Sequence, residues 1–297
     1  MKKILTLLVV SALIVSCGDD DSPSVSNNLN VSFSGLEDLG STAQYEGWII
    51  VNGAPVSTGT FTVDANGTPS ATAFTVDATD LAAATKFVLT VEPIPDSDPL
   101  PSDQKLLAGD FAGNSTTLST GTAPALGSFD NAAGTLFLRT PTDEAAGSGN
   151  NMNDIYGVWF GTPGMPPTPG FTLPTLPTGW AYEGWVIGDA GPISTGTFTD
   201  FGTMDSSNGF SGTENNAGPP IPGEDFFNNA PMGETFPLDI RGRRVVISVE
   251  PVPDNSPAPF LLKPLIADVA GDAATAPATH NFMQNLGSIP SGTITRQ

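Results

Sequence analysis

The sequence predicts an all-β protein built as two tandem β-sandwich domains, and three observations predict it. One block of sequence occurs twice, the apolar runs are short and alternating, and no window of useful length carries a helical period. The repetition is direct. Tyr45-Glu46-Gly47-Trp48-Ile49-Ile50, followed by Pro55-Val56-Ser57-Thr58-Gly59-Thr60-Phe61-Thr62, returns 137 residues later as Tyr182-Glu183-Gly184-Trp185-Val186-Ile187 and Pro192-Ile193-Ser194-Thr195-Gly196-Thr197-Phe198-Thr199. Phe87-Val88-Leu89-Thr90-Val91-Glu92-Pro93-Ile94-Pro95-Asp96 returns as Val245-Val246-Ile247-Ser248-Val249-Glu250-Pro251-Val252-Pro253-Asp254, now 158 residues later. The second copy therefore holds 21 extra residues, placed within about 205–236. The expected organisation is a leader over 1–16, a flexible acidic tether over 17–28, a first sandwich over 29–150 and a second over 151–297.

Each element has a local cause. Leu29 to Phe33 alternates as a half-buried strand. Trp48 to Val51 runs into Asn52-Gly53, a strong hairpin signal, and Gly59 to Val63 is the returning strand. Lys86 to Val91 alternates and is stopped by Pro93 and Pro95, while Leu106 to Phe111 and Gly134 to Arg139 complete the first set. Ala78 to Ala84 has room for a turn or two of helix. In the second copy Tyr156 to Phe160 is a strand candidate and the Pro-rich Thr162 to Gly170 an extended connection. Leu126-Gly127-Ser128 with Gly134-Thr135 recurs as Leu286-Gly287-Ser288 with Gly292-Thr293, so each copy is expected to close on an equivalent strand.

The ends and the charge set the setting. Lys2 and Lys3 precede an apolar stretch, Ile4 to Val15, of signal-peptide length and too short to span a bilayer. It leads into Ile14-Val15-Ser16-Cys17, which resembles a bacterial lipobox, so Cys17, the sole cysteine, is the expected lipidation site. Gly18-Asp19-Asp20-Asp21 resembles the acidic export signal of some Gram-negative surface lipoproteins, which extends the expectation to the outer membrane and its outer face. Ten basic residues, two of them in the leader, stand against 31 acidic ones, and such a chain repels nucleic acid.

Chemistry-bearing residues are sparse. His280 is the lone histidine, so neither a Ser-His-Asp triad nor a multi-histidine zinc site is expected. Glu46 and Glu183, with Glu92 and Glu250, recur in register; two carboxyls can serve a glycosidase, but the same pair in both copies favours buried structural carboxylates bonded to backbone. The Asp clusters (Asp96, Asp98, Asp103, Asp110; Asp254, Asp268, Asp272) lack dedicated calcium-loop spacing and read as solvated loops. No metal, no cofactor and no enzymatic activity are expected. Trp48 and Trp185 read as core. Trp180, without a counterpart in the first copy, is the expected exposed aromatic; with Phe226, Phe227, Glu224 and Asp225 of the insertion it marks the expected binding surface.

The pattern Tyr-x-x-Trp, Pro-(Val/Ile)-Ser-Thr-Gly-Thr-Phe and Val-Glu-Pro resembles the extracytoplasmic C-terminal domain of the anti-sigma-K-factor family. The approach Leu173-Pro174-Thr175-Leu176-Pro177-Thr178-Gly179 to Tyr182 and Trp185 is similar to the family's own in the second copy, whereas the first copy has Leu36-Glu37-Asp38-Leu39-Gly40. The resemblance implies a sensor-side module. Members also carry a cytoplasmic sigma-binding domain and a transmembrane helix, and this sequence shows neither pattern, so direct sigma-factor binding is not expected. The expected function is a lipid-anchored envelope protein whose two modules bind another envelope protein, linked through the resemblance to sigma-factor regulation. The alternative is glycan capture by exposed aromatics.

Overall fold

Period-two alternation and frequent Gly, Pro and Asn punctuation leave strands as the regular structure most of this chain can form, and strands dominate it. The structure, a computed structural model, describes residues 27–144, 152–214, 218–254 and 256–297. Its first part holds β1 (Asn28–Ser34), β2 (Ala43–Val51), β3 (Ala54–Phe61), β4 (Ala73–Thr75), the short helix α1 (Ala78–Ala83), β5 (Ala84–Pro93), β6 (Lys105–Asp110), β7 (Ser115–Leu118) and β8 (Ala133–Leu138). Its second part holds β9 (Gly157–Trp159), β10 (Gly161–Thr162), β11 (Thr168–Pro169), β12 (Phe171–Thr172), β13 (Trp180–Ile187), β14 (Pro192–Phe198) and β15 (Gly223–Asp225). There follow β16 (Arg244–Pro251), β17 (Leu265–Asp268), β18 (His280–Asn281), β19 (Met283–Gln284) and β20 (Ser291–Arg296).

The fold is all-β. Two antiparallel sheets share one strand order, β3-β2-β5-β6 in the first part and β14-β13-β16-β17 in the second, where β19 extends the edge. The first packs on the sheet β4-β1-β20-β7 and the second on β12-β8-β9-β15. Local chemistry explains the recurring features. The β2–β3 hairpin turns at Asn52 (φ 51°) and Gly53 (φ 83°), two successive positive φ values of the kind a tight hairpin needs. Ser-Thr-Gly is a β-bulge. Gly47 pairs with Gly59 and Trp48 with Ser57, leaving Thr58 over; Gly184 pairs with Gly196 and Trp185 with Ser194, leaving Thr195 over. Helix α1 is capped by Asp77, whose carboxylate accepts the N–H groups of Thr79 and Asp80.

Aromatic stacking repeats as well. Phe33 stacks on Phe61 at 5.3 Å and Phe171 on Phe198 at 5.8 Å, with Tyr45 and Tyr182 against the same two central rings. One buried apolar cluster runs through both sandwiches.

The two sandwiches do not divide at residue 150, and the expected boundary is corrected here. β20, from the C-terminus, lies between β1 and β7 of the first sandwich, while β8, from the first copy, pairs with β12, β9 and β18 of the second. These are the two strands that the sequence marks as equivalent, and each has crossed to the other copy. The slots they fill are alike: Gly292 faces Phe33 and Gly134 faces Phe171, and a Cβ on either glycine would come within 2.8 Å of that ring. A strand matched to either slot satisfies the same backbone groups whichever copy supplies it, so repetition alone cannot tell which partner it takes.

Candidate functional site

The duplicated motifs converge on one device, built once on each central sheet. Along β2, Tyr45 and Ile49 face the main core, whereas Glu46 and Trp48 face outward; Trp48 packs there with Val88 and Ala108 in a satellite cluster. The indole N–H of Trp48 donates to Thr90 Oγ1 at 2.9 Å, and Thr90 in turn donates to Glu92. Ser57, beside the bulge, donates to Glu46 and accepts the N–H of Gly59 at 3.2 Å. The second sandwich repeats every contact. Trp185 donates to Ser248 at 2.7 Å, Ser248 to Glu250 and Ser194 to Glu183, and Gly196 N–H reaches Ser194 Oγ at 3.0 Å.

The proline after each second glutamate turns the chain off the strand, and the arm that follows folds back over the outer face. Ser102 N–H closes on Glu92 at 2.9 Å and Phe260 N–H on Glu250 at 2.9 Å, ten residues on in both cases. Backbone bonds from Val91 to Gln104 and from Val249 to Leu262 pin the far end of each arm. Lys105 and Lys263 fasten it further by donating to the carbonyls of Ser102 and Phe260, at 2.7 and 2.5 Å.

The carboxylates are consequently hidden from water: Glu183 is 4% exposed and Glu250 fully buried. Burial pushes both above the ordinary carboxylate range, and nearby negative charge, Glu250 and Asp254 for Glu183 and Asp254 for Glu250, adds to the rise. Burial raises Glu46 too, with Glu92 and Asp96 contributing. One carboxylate oxygen from each of Glu183, Glu250 and Asp254 lies within 4.8 Å of the others.

The two arms meet over a cleft of about 650 Å³ whose walls include Glu37, Asp38, Gln104, Pro253, Asp254 and Pro257. Gln104 ties the halves across it, its amide donating to Val252 O at 2.6 Å. Five prolines and four acids line these walls, a rigid and negatively charged surround.

Several expected site residues lie elsewhere. Trp180 is 2% exposed, on the core face of β13 against Phe260, so its reading as an exposed aromatic is corrected. Glu224, Asp225 and Phe226 are fully buried, and Phe227 is half-buried against Tyr156. The insertion folds inward because β15 pairs with β9. Asp225 then accepts the N–H and hydroxyl of Thr142 (2.8 and 2.6 Å) and the indole N–H of Trp159 (3.0 Å); Glu224 accepts the Ser211 hydroxyl, and Phe226 packs with Phe210 and Phe236. These five residues therefore do not form a joint surface. Trp48, Trp159, Trp180 and Trp185 are all buried, which removes the stacking platform that glycan capture requires. His280 places its Nε2 2.9 Å from the Ala274 carbonyl. Cys17 lies outside the described residues. The bulge serine, legible in the sequence as part of the repeat, was not singled out there; its tie to the preceding glutamate is the signal that pairing the two repeated blocks would have revealed.

Comparison with known proteins bears on this device. Residues 22–105 match a family model, anti-sigma-K factor rskA, C-terminal. The matched stretch is less than a third of the chain and takes in β1 to β5, hence Glu46, the bulge at Ser57 and Glu92. An anti-sigma-factor-like module is thus present over those residues. No curated protein and no solved structure matches the chain. Among the described residues no helix is long and apolar enough to cross a membrane.

Proposed function

We propose that this chain is a non-catalytic, lipid-anchored protein of a Gram-negative cell envelope, held at the outer membrane through Cys17. In this reading it presents two anti-sigma-factor-like modules, the matched one and its copy in the second sandwich, to another envelope protein. Any influence on a sigma factor passes through that partner rather than by direct contact. The observation that carries the reading is the match of residues 22–105 to the C-terminal part of an anti-sigma factor, in a chain whose first residues have the form of a lipoprotein leader. The repeated acid device supports a shared role for the two modules. The non-catalytic part rests on the same repetition: the carboxylates are bonded into the backbone of both sandwiches alike, and the lone histidine sets its Nε2 against the Ala274 carbonyl.

The test is fractionation followed by capture. Wild-type protein should sediment with outer membranes and Cys17→Ala should be soluble. Mild-detergent capture of the wild type, with crosslinking and mass spectrometry, should return a transmembrane regulator whose sigma-dependent transcripts change when this chain is deleted. Unchanged membrane attachment of Cys17→Ala would remove the anchor; capture of no envelope protein, with no transcript change, would remove the sensor role.

A further inference from the structure

We propose that Glu183, Glu250 and Asp254 form a binding site for one hard divalent cation, calcium foremost, on the outer face of the second sandwich. The argument starts from spacing. Oxygens bound to a single calcium at about 2.3–2.6 Å lie no more than about 5 Å apart, and the three carboxylates each bring an oxygen within 4.8 Å of the other two. It continues with a lone oxygen. Glu183 is 96% buried by its 4% exposure, and while Oε1 accepts the Ser194 hydroxyl, Oε2 is buried with no hydrogen-bond partner. A carboxylate oxygen shut away from both water and donors is a costly arrangement that a cation relieves.

No lysine or arginine among the described residues forms an ion pair with any of the three; Lys263 donates to the Phe260 carbonyl, and its charge only partly offsets the burial of Glu250. The ligands are also pre-set. Ser194 holds Glu183, Ser248 and the Phe260 N–H hold Glu250, and the N–H of Ser256 holds Asp254 at 2.8 Å. Asp254 is half-buried and lines the 650 Å³ cleft, so it joins the buried pair to a route from solvent. All three donors are oxygens, which suits calcium rather than a soft metal. In the first sandwich Glu46, Glu92 and Asp96 stand at the corresponding positions without closing to this spacing, so one ion per chain is expected. This inference stands apart from the proposed partner role and does not depend on it.

The experiment is calorimetric titration of calcium alone into the full-length chain in detergent, stripped with a chelator, with melting temperature recorded alongside. The expected result is one ion per chain, a higher melting temperature with calcium, and at least tenfold weaker binding in Glu183→Gln and in Asp254→Asn. Asp254→Asn changes a half-buried group at the cleft, so it reports even if Glu183→Gln fails to fold. Asp110→Asn, an exposed carboxylate paired with Lys86, is the control for attraction to the net charge of −21 and should bind as the wild type does. The proposal is overturned by absence of heat and of any melting shift up to about 10 mM, above the roughly millimolar range of weak extracellular calcium modules. Equal loss in Asp110→Asn, or undiminished binding in Asp254→Asn, overturns it as well.

Discussion

Asp205 sits at the mouth of the insertion and accepts the N–H groups of Gly223 and Ser207, at 2.9 and 3.2 Å, yet burial outweighs those bonds. With Glu224 adding negative charge, its carboxyl is pushed up to about 8. An unfolded Asp titrates near 3.9. Between about pH 4 and 8 the folded state therefore holds a proton that the unfolded state has released, and stability falls as pH rises through that window. Asp225, raised by burial to about 7, acts in the same direction. The urea midpoint should accordingly drop from pH 5 to pH 8, and Asp205→Asn should flatten that drop; a midpoint that rises over the interval would show these carboxyls to be ionised in the fold. Other residues derive their importance from backbone conformation. Gly196 holds φ +117° at the bulge, and a Cβ there would meet Asp205 and the Ser207 N–H at 2.8 Å, so the same acid that titrates also fixes which residue can close the bulge.

At the scale of elements, β15 decides whether the insertion is a flap or part of the wall. Its Asp225 answers two backbone or indole N–H groups and one hydroxyl that have no water to turn to. Removing an acceptor from buried donors costs about 1–3 kcal/mol per group, so Asp225→Ala should destabilise the chain by several-fold more than a surface change. It should also open 205–236 to a protease while β13 and β16 stay protected; cleavage no faster than wild type would contradict the latch. This element also shows where reading the sequence succeeds and stops. The hairpin at Asn52-Gly53, the strand ends at Glu-Pro and the doubled sheets are written in local residue patterns, which is why the all-β architecture was legible. The inward turn of Glu224, Asp225 and Phe226 was not, because it depends on β15 finding β9 more than 60 residues away and on an indole that needs an acceptor. The acid trio was half legible: Glu183 and Glu250 were visible as repeats, but Asp254 reaches them only because the arm after Pro251 folds back.

For the whole molecule, the exchange of β8 and β20 makes each sandwich depend on the other copy's sequence. Overpacking a filled slot costs about 1–3 kcal/mol. Gly292→Val, in β20, should therefore speed amide hydrogen exchange in β1 and β7, whereas Gly134→Val should speed it in β12 and β9. Effects confined to each mutation's own half would show that the strands stay at home. The same pairing brings the ends of the described chain together: Gln297 N–H donates to Asn28 O at 3.0 Å, and Leu29 is opposite Arg296 in an antiparallel pair. A pull that drew those two ends apart would load the ladder like a zipper, at its open end, and part it one bond at a time. Force entering from the N-terminal side is thus met first by the chain's own last strand, which yields by peeling and leaves the β13–β16 sheet with its acids under no tension.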